Sequence, residues 1–94
     1  MAEVEWSALA EQDLLEILSY IADENPDAAK RFNDRIQIRV TALAAQPRQY
    51  RTGRVAGTRE MVVHPCYVVV YTEMDAKVLI LRVLHTALQW PVGS

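Results

Sequence analysis

The side chains best suited to chemistry gather near the end of the chain. Arg82 and His85 sit in Arg82-Val83-Leu84-His85-Thr86, and Trp90 follows in Gln89-Trp90-Pro91. An imidazole with an ordinary pKa of about 6.5 can give or take a proton near neutral pH. A guanidinium can grip a carboxylate or phosphate through paired N–H groups. An indole can anchor a partner through its large apolar face. A second basic group, Arg48, Arg51, Arg54 and Arg59, lies mid-chain within and just beyond a turn-rich stretch, residues 47–57.

Each of these has a plainer structural reading. Arg82 interrupts an apolar run, and a half-buried guanidinium is costly unless paired. It is expected to meet a carboxylate such as Glu60, or one supplied by a partner, and Arg59 to do the same. His85 can instead tie the end of a strand to the tail, and Trp90-Pro91 can fold back and pack. His64, next to Pro65, reads as a strand-end surface residue. The single cysteine, Cys66, rules out an internal disulfide and has no His/Cys grouping with metal spacing. Gly53 and Gly57 serve turns, not a phosphate-cradling loop. No metal or cofactor is expected.

The elements that must position these residues are legible from periodicity. Val4-Glu5-Trp6 is a short strand candidate, and Ser7 can cap a helix that follows. Ala10, Leu14, Ile17, Leu18 and Ile21 recur at helical spacing, with a stop near Asp23. Asn25-Pro26 restarts the chain, with Asn25 as cap and Pro26 at the first helical position. Ala29, Phe32, Ile36, Val40 and Leu43 form a second stripe, with Ile38 on the opposite side. So short a join predicts antiparallel neighbours. Thr58–His64, Cys66–Glu73 and Lys77–His85 read as strands, the last two as a hairpin around Met74-Asp75-Ala76. The order is β-α-α-β-β-β, an α+β domain in which a helical hairpin packs on a small, mainly antiparallel sheet.

Length and composition fit one domain over residues 1–94. The chain is 51% hydrophobic and 23% charged, with net charge −2. The acidic N-terminus has no signal-peptide pattern, and the longest apolar run is far too short to span a membrane. A cytoplasmic protein is expected. Charge is segregated: residues 1–27 carry eight acids and no base, and residues 28–59 carry eight bases and one acid. The two segments either neutralise each other or leave a basic surface for an acidic partner. Seven of those bases are arginine, the better residue for bidentate contact.

Taken together, these features resemble the RelE/ParE superfamily of bacterial type II toxins. The resemblance runs through Asp13-Leu14, Tyr20-Ile21 and Asn25-Pro26, then Gly53-Arg54-Val55-Ala56-Gly57-Thr58-Arg59-Glu60. It continues in Val62-Val63-His64-Pro65 and Tyr67–Tyr71, and ends in Arg82–Thr86 and Gln89-Trp90-Pro91. It implies a toxin, of the plasmid-stabilisation kind, made beside an antitoxin whose disordered segment wraps and neutralises it. Two mechanisms divide the superfamily. RelE-like members cut mRNA on the ribosome, and ParE-like members bind DNA gyrase. The position where RelE-like nucleases commonly carry an arginine is Val68 here, which favours the ParE-like branch and implies no catalytic residue. His85 resembles the late histidine of some nuclease relatives and is the catalytic candidate under that alternative. A non-toxic, antitoxin-binding relative is the third reading. Arg54, Arg59, Arg82, His85 and Trp90 are the expected antitoxin- or target-binding residues.

Overall fold

The computed structural model describes residues 3–86. Its elements are β1 (Glu3–Trp6), α1 (Ala8–Glu24), α2 (Pro26–Ala42), β2 (Arg59–His64), β3 (Tyr67–Met74) and β4 (Lys77–His85). The four strands form one sheet in the order β1-β4-β3-β2. β1 runs parallel to β4, and the other two pairings are antiparallel. The expected α+β order is therefore the one observed.

Local chemistry explains the two helices. The Ser7 hydroxyl accepts from the Ala10 N–H at 3.1 Å and opens α1. Asn25 serves both helices: its N–H donates to Ile21 O at 2.9 Å, closing α1, and its Oδ1 accepts from the Ala28 N–H at 3.1 Å, opening α2. Pro26 follows at the first position, where its missing N–H costs nothing. With a one-residue join, the helices lie against each other. Ala10 and Leu14 are buried, as is the whole α2 stripe of Ala29, Phe32, Ile36, Val40 and Leu43. Ile38, opposite that stripe, is exposed.

The stripes face one side of the sheet. Met61, Val63, Val69, Tyr71, Val78, Ile80 and Val83 join the helical residues in the main core. Strand alternation sends Val68 and Val70 the other way, into a smaller cluster with Leu84 and Leu81. Between β3 and β4 the register shifts: Val70 pairs with Arg82 and Tyr71 with Ile80, so Leu81 is an extra residue in β4. Such a bulge re-aims the side chains beside it.

The basic stretch before β2 is stitched inward. Glu60 is buried and takes Arg51 Nη2 at 3.4 Å, with the Arg54 N–H at 3.1 Å and Arg54 Nε at 3.5 Å. Arg59 Nη1 donates to Tyr50 O at 2.6 Å, and the buried Tyr71 hydroxyl donates to Pro47 O at 2.7 Å. Burial pushes the Tyr71 phenol pKa up, so it stays a neutral donor. Gly53 passes so close to Thr58 that a Cβ there would collide with Thr58 Oγ1 and press on Glu60 Oε2.

The β3–β4 hairpin turns on Asp75 and Ala76, at φ 51° and 62°. Two left-handed residues in sequence match a type I′ turn, whose second position favours glycine. Ala76→Gly is expected to stabilise the chain by about 0.5–1 kcal/mol, offset in part by the freer unfolded state. Gly53→Ala should destabilise it by roughly 1–3 kcal/mol, because neither neighbour can move without breaking a bond of its own. Urea denaturation of the two purified variants checks both signs.

Candidate functional site

The strand β1 ends at Trp6, opposite Ile80, and among the described residues no strand neighbours the rest of that β4 edge. Its polar groups are taken up by α1 and the residue before it. Ser7 N–H donates to Ile80 O at 2.9 Å, and the Ser7 hydroxyl donates to Leu81 O at 3.0 Å. One turn into the helix, Asp13 Oδ2 accepts from the Val83 N–H at 3.0 Å. The same carboxylate grips Arg82 twice, Nε to Oδ2 at 2.8 Å and Nη2 to Oδ1 at 3.0 Å. This fork-to-fork pair raises the Arg82 pKa above its ordinary value, through the Asp13 hydrogen bonds first. Arg82 therefore meets Asp13 and not the expected Glu60, whose oxygens are already taken by Arg51 and Arg54.

Between this wall and α2 lies a groove of about 800 Å³. Its apolar lining includes Ile17 and Ile21 of α1, Phe32 of α2 and Val83 of β4. Across one end runs a row contributed by three neighbouring strands. His64 pairs with Tyr67, and Tyr67 with His85. Their ring centroids are 5.7 and 5.5 Å apart, and Phe32 packs edge-on against Tyr67 at 5.3 Å. Nδ1 of His64 accepts from the Cys66 N–H at 3.0 Å, which places the proton of the neutral ring on Nε2. Burial, then nearby Cys66 and Tyr20, raise the Tyr67 phenol pKa. Tyr67 thus offers an O–H and not a phenolate near neutral pH. The row holds two imidazoles and a phenol, groups that can move protons.

The α2 wall is basic. Arg31 and Arg35 line the groove one helical turn apart. Both are exposed, and no ion pair among the described residues involves either guanidinium. None of the ion pairs among the described residues joins an acid of residues 1–27 to a base of 28–59. The two oppositely charged segments do not neutralise each other by direct pairing. No group of three or more His, Cys, Asp or Glu among the described residues could hold a metal ion.

A family model described as the ParE toxin of the type II toxin–antitoxin system, parDE, matches residues 4–90. The chain belongs to the ParE toxin family. Y4kP of Sinorhizobium fredii is 39% identical to it over 88 residues, covering 94% of this chain and 92% of that protein. Toxin RelE2 of Caulobacter vibrioides is 39% identical over 87 residues, covering 93% of this chain and 98% of that toxin. A chain of the chromosomal ParDE system from P. aeruginosa superposes with a TM-score of 0.78, covering 90% of this chain and 96% of that one. At 22% identity it shows a shared fold.

Within this ParE-family toxin the expected site residues separate. Arg82 and His85 line the groove. Arg54 and Arg59 do not; they hold the 47–58 loop to the sheet through Glu60 and Tyr50. Trp90 lies outside the described residues. Val68 is buried on the far face of the sheet, next to Val70 and Leu84. Residues that sequence reasoning passed over complete the groove: His64 and Tyr67 on the strands, Arg31 and Arg35 on the helix. The helical pair was findable from its i, i+4 spacing beside Phe32; the strand row required the register.

Asp13 is the residue on which the α1 wall depends. Asp13→Asn keeps an acceptor for Val83 but removes the charge facing Arg82, whose side chain is 20% exposed. The toxin should lose about 2–3 kcal/mol of stability. Arg82→Leu added to Asp13→Asn should cost far less than it does alone, as a double-mutant cycle by denaturation would show.

Proposed function

We propose that this toxin acts by binding a protein target of the DNA gyrase kind, does not cut RNA, and is neutralised by a cognate antitoxin that occupies the groove. Ribonuclease chemistry needs a cation held against the developing phosphorane, beside the groups that move protons. The observation that carries the reading is the state of the strand-borne positions. Arg82 is held bidentately by Asp13, and Val68 turns to the opposite face as a buried aliphatic. The row at the groove end thus has proton-moving groups, while the sheet guanidinium that lines the groove, Arg82, is paired with Asp13. Membership of the ParE toxin family supports the same reading.

One observation favours the alternative, a ribosome-dependent mRNA endonuclease. His85 stands next to Tyr67, with His64 beyond it, so a general acid and a general base lie within one row. Under that reading His85→Ala removes cleavage, by roughly 100-fold or more. Expression without antitoxin, followed by purification and assay, separates the two. Inhibited gyrase supercoiling, with His85→Ala still toxic, is the expected result. Cleavage of ribosome-bound mRNA that His85→Ala abolishes would overturn it. Unimpaired growth with intact protein would instead indicate a relative that only binds its antitoxin.

A further inference from the structure

We infer that the 47–58 loop and the arginines around it form a second binding surface, which grips the phosphate backbone of duplex DNA. The inference goes beyond the proposed action on gyrase, and rests on that reading only for the choice of duplex DNA over RNA.

The loop lies at the opposite end of the sheet from the groove. It leads into β2 at Arg59, whereas His64, at the other end of that strand, lines the groove. Three arginines on the loop, Arg48, Arg51 and Arg54, have side chains 78, 65 and 46% exposed. Arg59 reaches the loop through Tyr50 O, and Arg39 through the Tyr50 hydroxyl. Five guanidiniums thus surround it, and the carboxylates that pair with them are two, Glu60 and Glu73. Arg48 meets Glu73 through Nε at 2.9 Å, and Arg51 meets Glu60 through one terminal nitrogen at 3.4 Å. The rest of each of these two guanidiniums faces solvent, in the fork geometry that suits paired phosphate oxygens.

The whole chain carries −2, but the field at this end is set locally. The β1 acids, Glu3 and Glu5, stand at the far edge of the sheet, three strand spacings or about 14 Å away. That exceeds the Debye length of about 10 Å at 0.1 M salt.

Two further features name the partner. The loop is held in shape by its own bonds. Gly53 N–H donates to Thr58 O at 2.7 Å, Glu60 N–H to Arg51 O at 3.1 Å, and the Thr58 hydroxyl to Val55 O at 2.7 Å. Its arginines are therefore placed before anything binds, at little further cost in ordering. None of the large exposed hydrophobic side chains among the described residues falls within residues 43–60. A protein partner ordinarily centres on a buried aromatic or aliphatic anchor, whereas a phosphate backbone needs only charge and hydrogen bonds. An enzyme of the gyrase kind works on duplex DNA, which makes the duplex the source of those phosphates.

The test is fluorescence anisotropy of a short labelled DNA duplex, titrated with full-length toxin over a range of salt. Wild-type affinity should fall with salt at a log–log slope of about −3. Arg48→Gln with Arg51→Gln should bring the slope to about −1 and weaken binding about tenfold or more at low salt. Arg48→Lys with Arg51→Lys should keep most of the slope, because charge carries it. Lys30→Glu makes the same change in net charge near the other end of α2, and should shift affinity by less than about threefold. Matching thermal midpoints for all variants establish that they fold. Duplex binding that is absent, or that the glutamine pair leaves unchanged, would overturn the inference. Tighter binding of single-stranded RNA or polyglutamate, lost in the glutamine pair, would overturn the choice of DNA. Gyrase supercoiling is assayed with the same wild-type preparation. Inhibition without duplex binding removes this surface and leaves the gyrase reading standing. Duplex binding without inhibition supports the surface and removes that reading.

Discussion

One carboxylate, that of Asp13, governs how the two layers of this protein meet. A four-residue first strand cannot cover a nine-residue neighbour, so the far half of β4 needs other partners for its edge. Unpaired edge groups are costly when buried and invite foreign strands when exposed. Ser7 and Asp13 answer both problems in sequence along the chain, first with a backbone N–H, then a hydroxyl, then a carboxylate. The bulge at Leu81 matters here, because it re-aims the side chain that follows. Arg82 can then come round to α1 although its cross-strand partner Val70 faces the other side. The helix is thereby fixed to the sheet at one place by three hydrogen bonds to a single side chain.

That arrangement decides what the groove can do. An arginine on a central strand, at the mouth of a cavity, reads as an obvious anion receptor. Held by Asp13, it becomes part of the wall. The same logic applies at the other end of the molecule, where buried Glu60 draws in Arg51 and Arg54 and fixes the loop between α2 and β2. Internal acceptors thus hold arginines that sequence reading assigns to a partner: Glu60 for Arg54, the Tyr50 carbonyl for Arg59 and Asp13 for Arg82.

How much of this was readable in the chain depends on the range of the interaction. Helix caps at Ser7 and Asn25, the two apolar stripes and the outward Ile38 follow from neighbours within a few residues, and all are found where expected. Strand boundaries shift by about one residue, the usual slack at element ends. The Arg82–Asp13 pair spans 69 residues and depends on a bulge that no local pattern announces. Glu60 was the nearer carboxylate in sequence, but it lies on β2, two strands away from β4. The His64–Tyr67–His85 row was invisible for a similar reason. Each residue alone is an ordinary strand end, and only cross-strand register makes them neighbours.

The row bears on both of the mechanisms weighed under the proposed function. Imidazoles and phenol at the ends of three strands supply proton transfer, whereas charge stabilisation must come from a cation aimed at the same point. In this chain Val68 is an aliphatic residue on the opposite face of the sheet, and the β4 guanidinium, Arg82, is engaged by a helix carboxylate. The cations that do face the groove stand on α2 and flank an apolar ring. Freeing Arg82 from Asp13, so that its guanidinium could face an anion in the groove, would undo the contact that fastens α1 to the sheet.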